Sequence, residues 1–353
     1  PLHAEWAIRA AEAGKHLLVE KPLGINAAEA ETIIETARER GVFLMEAYMY
    51  RCHPQTAALV DLIRQGTIGA VKVIIATFSF QAKFNPQSRL FQNELAGGGI
   101  MDVGGYTTSI TRLIAGAALG QPFANPLSVQ AAGHLGPTGV DHYAVATLKF
   151  PGDIVAQIAT GVELNQDNVV RIYGDKGRIT IPNPYQHNRQ QPDPGKLIVQ
   201  VQGEKEAREI VVPADRTSFA YEADRVAEAI FAGKQQVETP GMTWDDSLGN
   251  LTTQDQWRQA LGLTYEIEKP AHMTTTVAGE KLSVRPQHNM RYGQIRGLDK
   301  KIARLVMGVD NQRAFPHAAV MFDAYFECGG NAFDTAYIYG GGACEKVLGQ
   351  WVK

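Results

Sequence analysis

The sequence predicts an α/β unit, then an α+β unit, then the opening of a further strand–helix–strand unit. Three observations predict this. Short, wholly apolar strands alternate with helices as far as Gly66, the habit of parallel sheets covered on both faces. After Gly69, longer strands follow one another through hairpin-type turns. From Ile302 a new strand–helix–strand pattern begins. At 353 residues and 44% hydrophobic content, the chain can fill two or three cores.

His3 to Ala13 carries Trp6, Ala7, Ala10 and Ala11 at helical spacing and stops at Gly14; Trp6 is expected in the core with Phe78 and Phe80. Leu17-Leu18-Val19 is a strand too apolar to have one wet face. Asn26 and Glu29 form a capping box for a helix whose inner face is Ile33, Ile34 and Ala37, and Gly41 ends it. Val42–Glu46 is a second buried strand, and Pro54–Gln65 a helix closed by Gly66.

Val71–Phe80 opens the second unit, and a glycine-rich loop and helix, Gly97–Ala115, follow it. Strands are expected at His142–Phe150, Ile154–Glu163, Val169–Tyr173, Arg178–Ile181, Leu197–Gln202 and Glu209–Val212. Pro151-Gly152-Asp153, Asp175-Lys176-Gly177 and Gly203-Glu204-Lys205 turn between them. The expectation is an antiparallel meander closed by helices near Tyr221–Ala232 and Trp244–Leu261. Residues 269–290 read as a linker, with Thr274-Thr275-Thr276, Gly279 and Pro286. The expected domains are 1–53, 54–268 and 291–353. The chain opens on Pro1 directly into helical sequence, so an upstream segment is expected.

A net charge of −3 with 20% charged residues gives no footprint for nucleic acid or an acidic membrane. No apolar run approaches the roughly 20 residues that span a bilayer. Cys52, Cys328 and Cys344 are odd in number and outside any metal-ligand spacing. They read as cysteines of a reducing, cytoplasmic protein with no disulfide framework and no metal.

Two constellations could carry chemistry. Lys21 follows a parallel strand at its C-terminal end, where ligands bind in open α/β sheets, and Pro22 restricts its backbone. An ammonium there can polarise a substrate hydroxyl and assist proton removal. Taken alone, a surface lysine before a turn fits as well. In Gly97-Gly98-Gly99-Ile100-Met101-Asp102-Val103-Gly104-Gly105-Tyr106, Asp102 and Tyr106 share a helix face, and the glycines allow close approach of a ligand or backbone. A dipole-satisfying Asp and an amphipathic Tyr are the alternative there.

Together with the flanking His3 and Gly14-Lys15-His16, these segments resemble the Gfo/Idh/MocA oxidoreductase family. The marks are Glu20-Lys21-Pro22, Met45-Glu46-Ala47 leading to Arg51 and His53-Pro54, Gly98-Gly99 with Asp102, Gly104 and Tyr106, and Met242-Thr243-Trp244 with Asp246-Ser247. The likeness covers about residues 1–268. It implies the C-terminal half of a Rossmann domain followed by an open antiparallel sheet domain, with NAD or NADP as cofactor and a sugar, polyol or cyclic diol as substrate. Residue by residue, it implies Lys21 as catalytic lysine, Asp102 as its acidic partner and Tyr106 at the proton-transferring position, where many members carry histidine. Glu20, Lys21, Pro22 and His3 would meet the cofactor, and Arg51 and Tyr50 the substrate. A phenol with a pKa near 10 is a poor base, so Lys21 would have to depress it. A homo-oligomer through the open sheet face is a further expectation. An NAD-dependent glycoside hydrolase of the same fold and a non-catalytic sugar-binding module are the alternatives.

The Gly-x-Gly-x-x-Gly turn that seats a pyrophosphate is not in these residues, nor is the residue that separates NAD from NADP. Both are expected upstream, and the chain by itself is expected to bind cofactor weakly and to be inactive. The tail resembles the first β-α-β unit of an aldo/keto reductase, an incomplete (β/α)8 barrel. The marks are Gly329-Gly330-Asn331-Ala332-Phe333-Asp334-Thr335-Ala336, Tyr339-Gly340, Glu345 and Leu348-Gly349. That likeness implies Asp334 and Tyr339 as two members of a catalytic tetrad.

Overall fold

The computed structural model describes residues 2–185, 190–269, 282–313 and 315–352. Most of the expected linker, 270–281, lies outside the described residues. Contacts divide the chain into two units. Pro1–Ala30 with Ile34–Tyr265 build one, and Glu31–Ile33 with Glu266–Lys353 the other.

Helix α1, His3–Glu12, buries Ala4, Ala7, Ile8 and Ala11. Trp6 is not in the core: it is 60% exposed, with the Arg9 guanidinium 5.5 Å from its ring. The small alanines let the helix lie close to its neighbour, and an indole on that face would hold it away. Strand β1, Leu17–Glu20, pairs in parallel with β2, Leu44–Ala47, in the register Leu17↔Leu44 to Glu20↔Ala47. β2 is wholly buried. β1 departs from expectation, because Leu18 is 44% exposed; in this two-stranded ribbon its outward side chain has no covering layer. Between them α2, Ala27–Arg40, is capped as its sequence predicts. Asn26 Oδ1 accepts from Glu29 N at 3.0 Å, and Glu29 Oε2 accepts from Ile25 N at 2.9 Å. Helix α3, Pro54–Arg64, is capped by His53 Nδ1, which accepts from Gln55 N.

The large sheet corrects the meander. It has eight strands: β3 (Val71–Ser79), β4 (Ser128–Leu135), β5 (Asp141–Lys149), β6 (Val155–Gly161), β7 (Val170–Gly174), β8 (Gly177–Ile181), β9 (Gly195–Val201) and β10 (Arg208–Val212). Their order is β10-β9-β8-β7-β3-β6-β5-β4, so β3 is central, antiparallel to β7 and parallel to β6. The sheet is therefore mixed. The cause is helix α4, Gly105–Ala118, part of a crossover from β3 to the far edge; β4, β5 and β6 then step back until β6 lies beside β3. All three expected hairpin turns join antiparallel neighbours. β4 has no counterpart in the sequence reading. As an edge strand with few buried side chains, it lacks an apolar alternation to betray it.

One face of the sheet is covered. Ile74, Ala76, Phe78, Ala146, Leu148 and Ile158 pack with Ile110, Leu113 and Ile114 of α4. On the other face Val73, Tyr143, Val145 and Val155 are 37–44% exposed. Helices α5 (Ser218–Phe231) and α6 (Trp244–Ala260) complete the unit. α6 is held at its start by Asp246, whose carboxylate accepts from Arg51 Nη2 at 2.6 Å and Arg112 Nη1 at 2.5 Å, all three side chains fully buried.

In the second unit β11 (Tyr292–Gly293) and β12 (Ile302–Ala303) form a short antiparallel pair. β13 (Met307–Gly308) pairs in parallel with β14 (Phe333–Asp334), with α7 (Phe315–Glu327) between them in sequence and α8 (Ala343–Val352) after. Val309, Phe315, Phe322, Cys344 and Val347 form its core, while Val306 and Ile338 are 48% and 82% exposed. Among the described residues no helix is long and apolar enough to cross a membrane.

Candidate active site

Lys21 follows the C-terminal end of β1, half-buried, and its Nζ donates to the main-chain carbonyl of Asp102 at 2.5 Å. That carbonyl belongs to the π-helical turn Ile100–Gly104, which feeds α4. The same Nζ stands 5.4 Å from the centre of the Tyr106 ring, over its face. The structure thus brings Lys21, Asp102 and Tyr106 together. Burial lowers the Lys21 pKa, while the Asp102 and Glu20 carboxylates partly restore it. The Asp102 carboxylate also lies 3.1 Å from the exposed Arg89.

Tyr106 differs from expectation. Its hydroxyl faces Met49 Sδ at 3.6 Å rather than the ammonium, and burial, followed by the Glu20 charge, pushes its pKa well above 10. Lys21 meets the ring and not the oxygen, so it does not depress the phenol. Tyr106 is therefore a neutral hydrogen-bond donor and not a phenolate base. Its ring is fixed edge-on by Tyr48 and Phe78, with centroids 4.9 and 5.1 Å away.

His3 Nδ1 donates to the Pro22 carbonyl at 2.7 Å, so it braces the Glu20-Lys21-Pro22 turn; Glu20 is exposed. Arg51 and Tyr50, expected at the substrate, are both 0% exposed. Arg51 donates to Asp246, Ser109 and the Pro240 carbonyl, and the Tyr50 hydroxyl lies 2.8 Å from Ser109 Oγ. A guanidinium can be buried only where its donors are met, and here the core meets them. In the second unit Asp334 ends β14 exposed, and Tyr339 leans its ring on the Val309–Cys344 core.

Three buried carboxyls were given no role on sequence grounds. Asp141, at the start of β5, accepts from Ile100 N at 2.9 Å and so tethers the turn that carries Asp102; burial pushes its pKa up to about 7. Glu46 accepts from Leu23 N at 2.8 Å, and burial pushes it to about 7. Glu222, on α5, is 4% exposed, its Oε1 meets no hydrogen-bond donor, and burial with the nearby Glu20 charge pushes it to about 8. Glu46 alone had a sequence signal, its place in Met45-Glu46-Ala47. Glu222 sits between Tyr221 and Ala223 with no pattern around it.

A carboxyl raised on folding stays protonated in the folded chain and ionises in the unfolded one, so its contribution to stability falls as pH rises. For Glu222 the window runs from its ordinary 4.5 to about 8. Glu222→Gln is expected to stabilise the protein at pH 8 by about 2–4 kcal/mol and to leave it nearly unchanged at pH 4.5. Urea unfolding at the two pH values measures this, and equal effects at both would contradict the placement of Glu222.

A Rossmann-type α/β layer with a half-buried lysine at a strand end, joined to a large mixed sheet, defines an oxidoreductase of the dinucleotide-binding class. The profile of an oxidoreductase family with an NAD-binding Rossmann fold matches residues 1–48, and that of the GFO/IDH/MocA C-terminal domain matches 56–180. The aldo/keto reductase family profile matches 305–353. A trans-1,2-dihydrobenzene-1,2-diol dehydrogenase of Xenopus tropicalis is 32% identical over 273 residues, 75% of this chain and 77% of the relative. Among solved structures, a 3-ketoreductase from Actinomadura kijaniata in complex with NADP and TDP-benzene aligns at 28% identity with a TM-score of 0.63, covering 74% and 75% of the two chains. An aldose-aldose oxidoreductase from Caulobacter crescentus complexed with glycerol aligns at 26% and 0.64, covering 73% of each. The chain belongs to the Gfo/Idh/MocA family of oxidoreductases.

Proposed function

We propose that the first unit transfers hydride between a nicotinamide cofactor and a carbinol carbon of a sugar, polyol or cyclic diol. The observation that carries this reading is the half-buried Lys21 ammonium, held by the Asp102 carbonyl over the Tyr106 ring. The diol dehydrogenase, the 3-ketoreductase and the aldose-aldose oxidoreductase among the similar proteins support the substrate class.

The residues present fit the reacting end of NAD or NADP. Glu20, Lys21 and Pro22 form a strand-end wall braced by His3, and Glu222 beside it holds a buried oxygen without a donor. Once bound, the nicotinamide accepts or gives the hydride. In the oxidative direction Lys21, its pKa lowered, takes the hydroxyl proton, while Asp102 fixes its position through the main chain. In reduction the Lys21 ammonium returns that proton to the forming alkoxide, and the neutral Tyr106 hydroxyl acts on the same oxygen as a hydrogen-bond donor. Arg51 and Tyr50 act from beneath as fixed core groups.

Three finer readings accompany this one. The domains run 1–53, 54–268 and 291–353, with residues 269–290 linking them. Residues 291–353 begin a (β/α)8 reductase barrel with Asp334 and Tyr339 as tetrad members. A second copy packs on the open sheet face, where Val73, Tyr143, Val145 and Val155 are exposed. Three free cysteines accord with a reducing, cytoplasmic setting.

The test, on the full-length enzyme, is absorbance at 340 nm with NAD, NADP and their reduced forms against aldoses, polyols and cyclic diols. Net turnover with at least one of them is expected. Release of sugar from a glycoside with no net change in cofactor would replace this reading with a hydrolase.

A further inference from the structure

The lysine at the heart of the proposed reaction sits on a turn, and a turn needs an anchor. Lys21 follows its own strand, and among the described residues its ammonium meets the Asp102 carbonyl and the Tyr106 ring. Its backbone must be held from elsewhere. Glu46 is 1% exposed on β2, where it pairs in register with Val19, two residues before Lys21. From there Oε1 accepts the main-chain N–H of Leu23, two residues after Lys21, at 2.8 Å. One carboxylate therefore closes the Lys21-Pro22-Leu23 turn onto the neighbouring strand. The Ser247 side chain at the start of α6 lies near the same carboxyl group, and Trp244 Nε1 of that helix donates to the Leu44 carbonyl at 3.0 Å. The Met242–Ser247 segment and β2 are thus bolted together around the Lys21 turn.

We propose that Glu46 is a positioning residue for Lys21, fixing the turn so that the ammonium reaches the reacting oxygen. It never touches substrate; it acts through the Leu23 amide. The proposal rests on the reading of Lys21 as the proton-handling group. The groups facing Glu46 are Lys21, Tyr48, Arg51, Arg112, Asp246 and Ser247, so its charge is felt at Lys21 as well. Charge and geometry separate by substitution. Glu46→Gln removes the charge and keeps an oxygen for Leu23. Glu46→Asp keeps the charge and withdraws the oxygen by one methylene. Glu46→Ala removes both.

Three readouts are taken on the full-length enzyme: hydrogen exchange at the Leu23 amide, competitive acetylation of Lys21 by acetic anhydride read by mass spectrometry, and the split of kcat from KM. Leu23 is expected to be protected in the parent and in Glu46→Gln. In Glu46→Asp and Glu46→Ala it should exchange roughly tenfold faster or more, with Lys21 acetylated faster. In those two variants kcat should fall roughly 10–100-fold with KM little changed, and Glu46→Gln should recover most of it. Should the alanine variant unfold, Glu46→Asp carries the test. Unchanged Leu23 exchange and Lys21 acetylation in Glu46→Asp would overturn the proposal. If Lys21→Ala stays active while Glu46→Asp still frees Leu23 and Lys21, the catalytic reading falls and the positioning stands.

Discussion

Lys21→Ala is expected to lower kcat by roughly 10²–10⁴, the range of a positioned proton-transfer group, with a smaller effect on KM. The Lys21 ammonium is the cation at the end of β1, and burial lowers its pKa toward the range in which a neutral amine exists to accept a proton. Oxidation should therefore speed up with pH through a midpoint below the ordinary 10.5, and Lys21→Ala should abolish that limb. Tyr106→Phe keeps the ring under the ammonium and removes only the hydroxyl, so a comparable loss in both directions would be due to the missing hydrogen-bond donor. Asp102→Asn is expected to cost less than either. Lys21 bonds to the Asp102 carbonyl, which the substitution leaves in place, and only the carboxylate's field at the amine is lost. A Lys21→Ala or Tyr106→Phe enzyme within a few-fold of the parent would remove that residue from the mechanism.

The parts of this arrangement that were legible in the sequence are those whose signal is local. Asn26 and Glu29 cap the same helix they announce, and the three hairpin turns sit where glycine and proline place them. Lys21, Asp102 and Tyr106 were found through motif spacing, and they do meet in space. What a motif cannot carry is direction. The Tyr106 oxygen turns toward Met49, and Arg51, read as a substrate contact, turns into the core toward Asp246, 195 positions away in sequence. Strand order has the same difficulty. β3 reads as one member of a meander, yet it pairs with β6 and β7 because an intervening helix carries the chain across the sheet before they form. Buried carboxyls such as Asp141 and Glu222 leave no periodic trace. Their environment is assembled from segments far apart in the chain.

Asp246 is expected to produce the largest stability loss of any single side chain in the first unit. It is fully buried between two fully buried guanidiniums, at 2.6 Å from Arg51 Nη2 and 2.5 Å from Arg112 Nη1. Arg112 Nη1 also donates to the Asp246 carbonyl at 2.8 Å, and Asp246 N donates to Thr243 Oγ1 at the start of α6. One carboxylate thus joins the segment before α3, the middle of α4 and the first turn of α6. Replacing it with alanine leaves two cations in the core with no anion between them. Asn125 Oδ1 and the Pro240 carbonyl still accept from Arg112 and Arg51, but they are neutral and cannot balance two charges. Breaking a buried pair in this way costs about 3–5 kcal/mol, a large share of the roughly 5–15 kcal/mol that holds a domain folded. Asp246→Asn should cost nearly as much, since an amide keeps the volume and loses the charge. Because the site is dry, 1 M salt should not reproduce the effect, as it would for the exposed Lys234–Glu238 pair. The Arg51→Met, Arg112→Leu, Asp246→Leu triple variant removes all three charges together and should recover much of the loss, because most of it is the penalty of stranded charge rather than the worth of the bonds. Urea unfolding of the parent and the three variants decides the matter. A single Asp246→Ala loss below about 1 kcal/mol would mean that the guanidiniums find water or other anions.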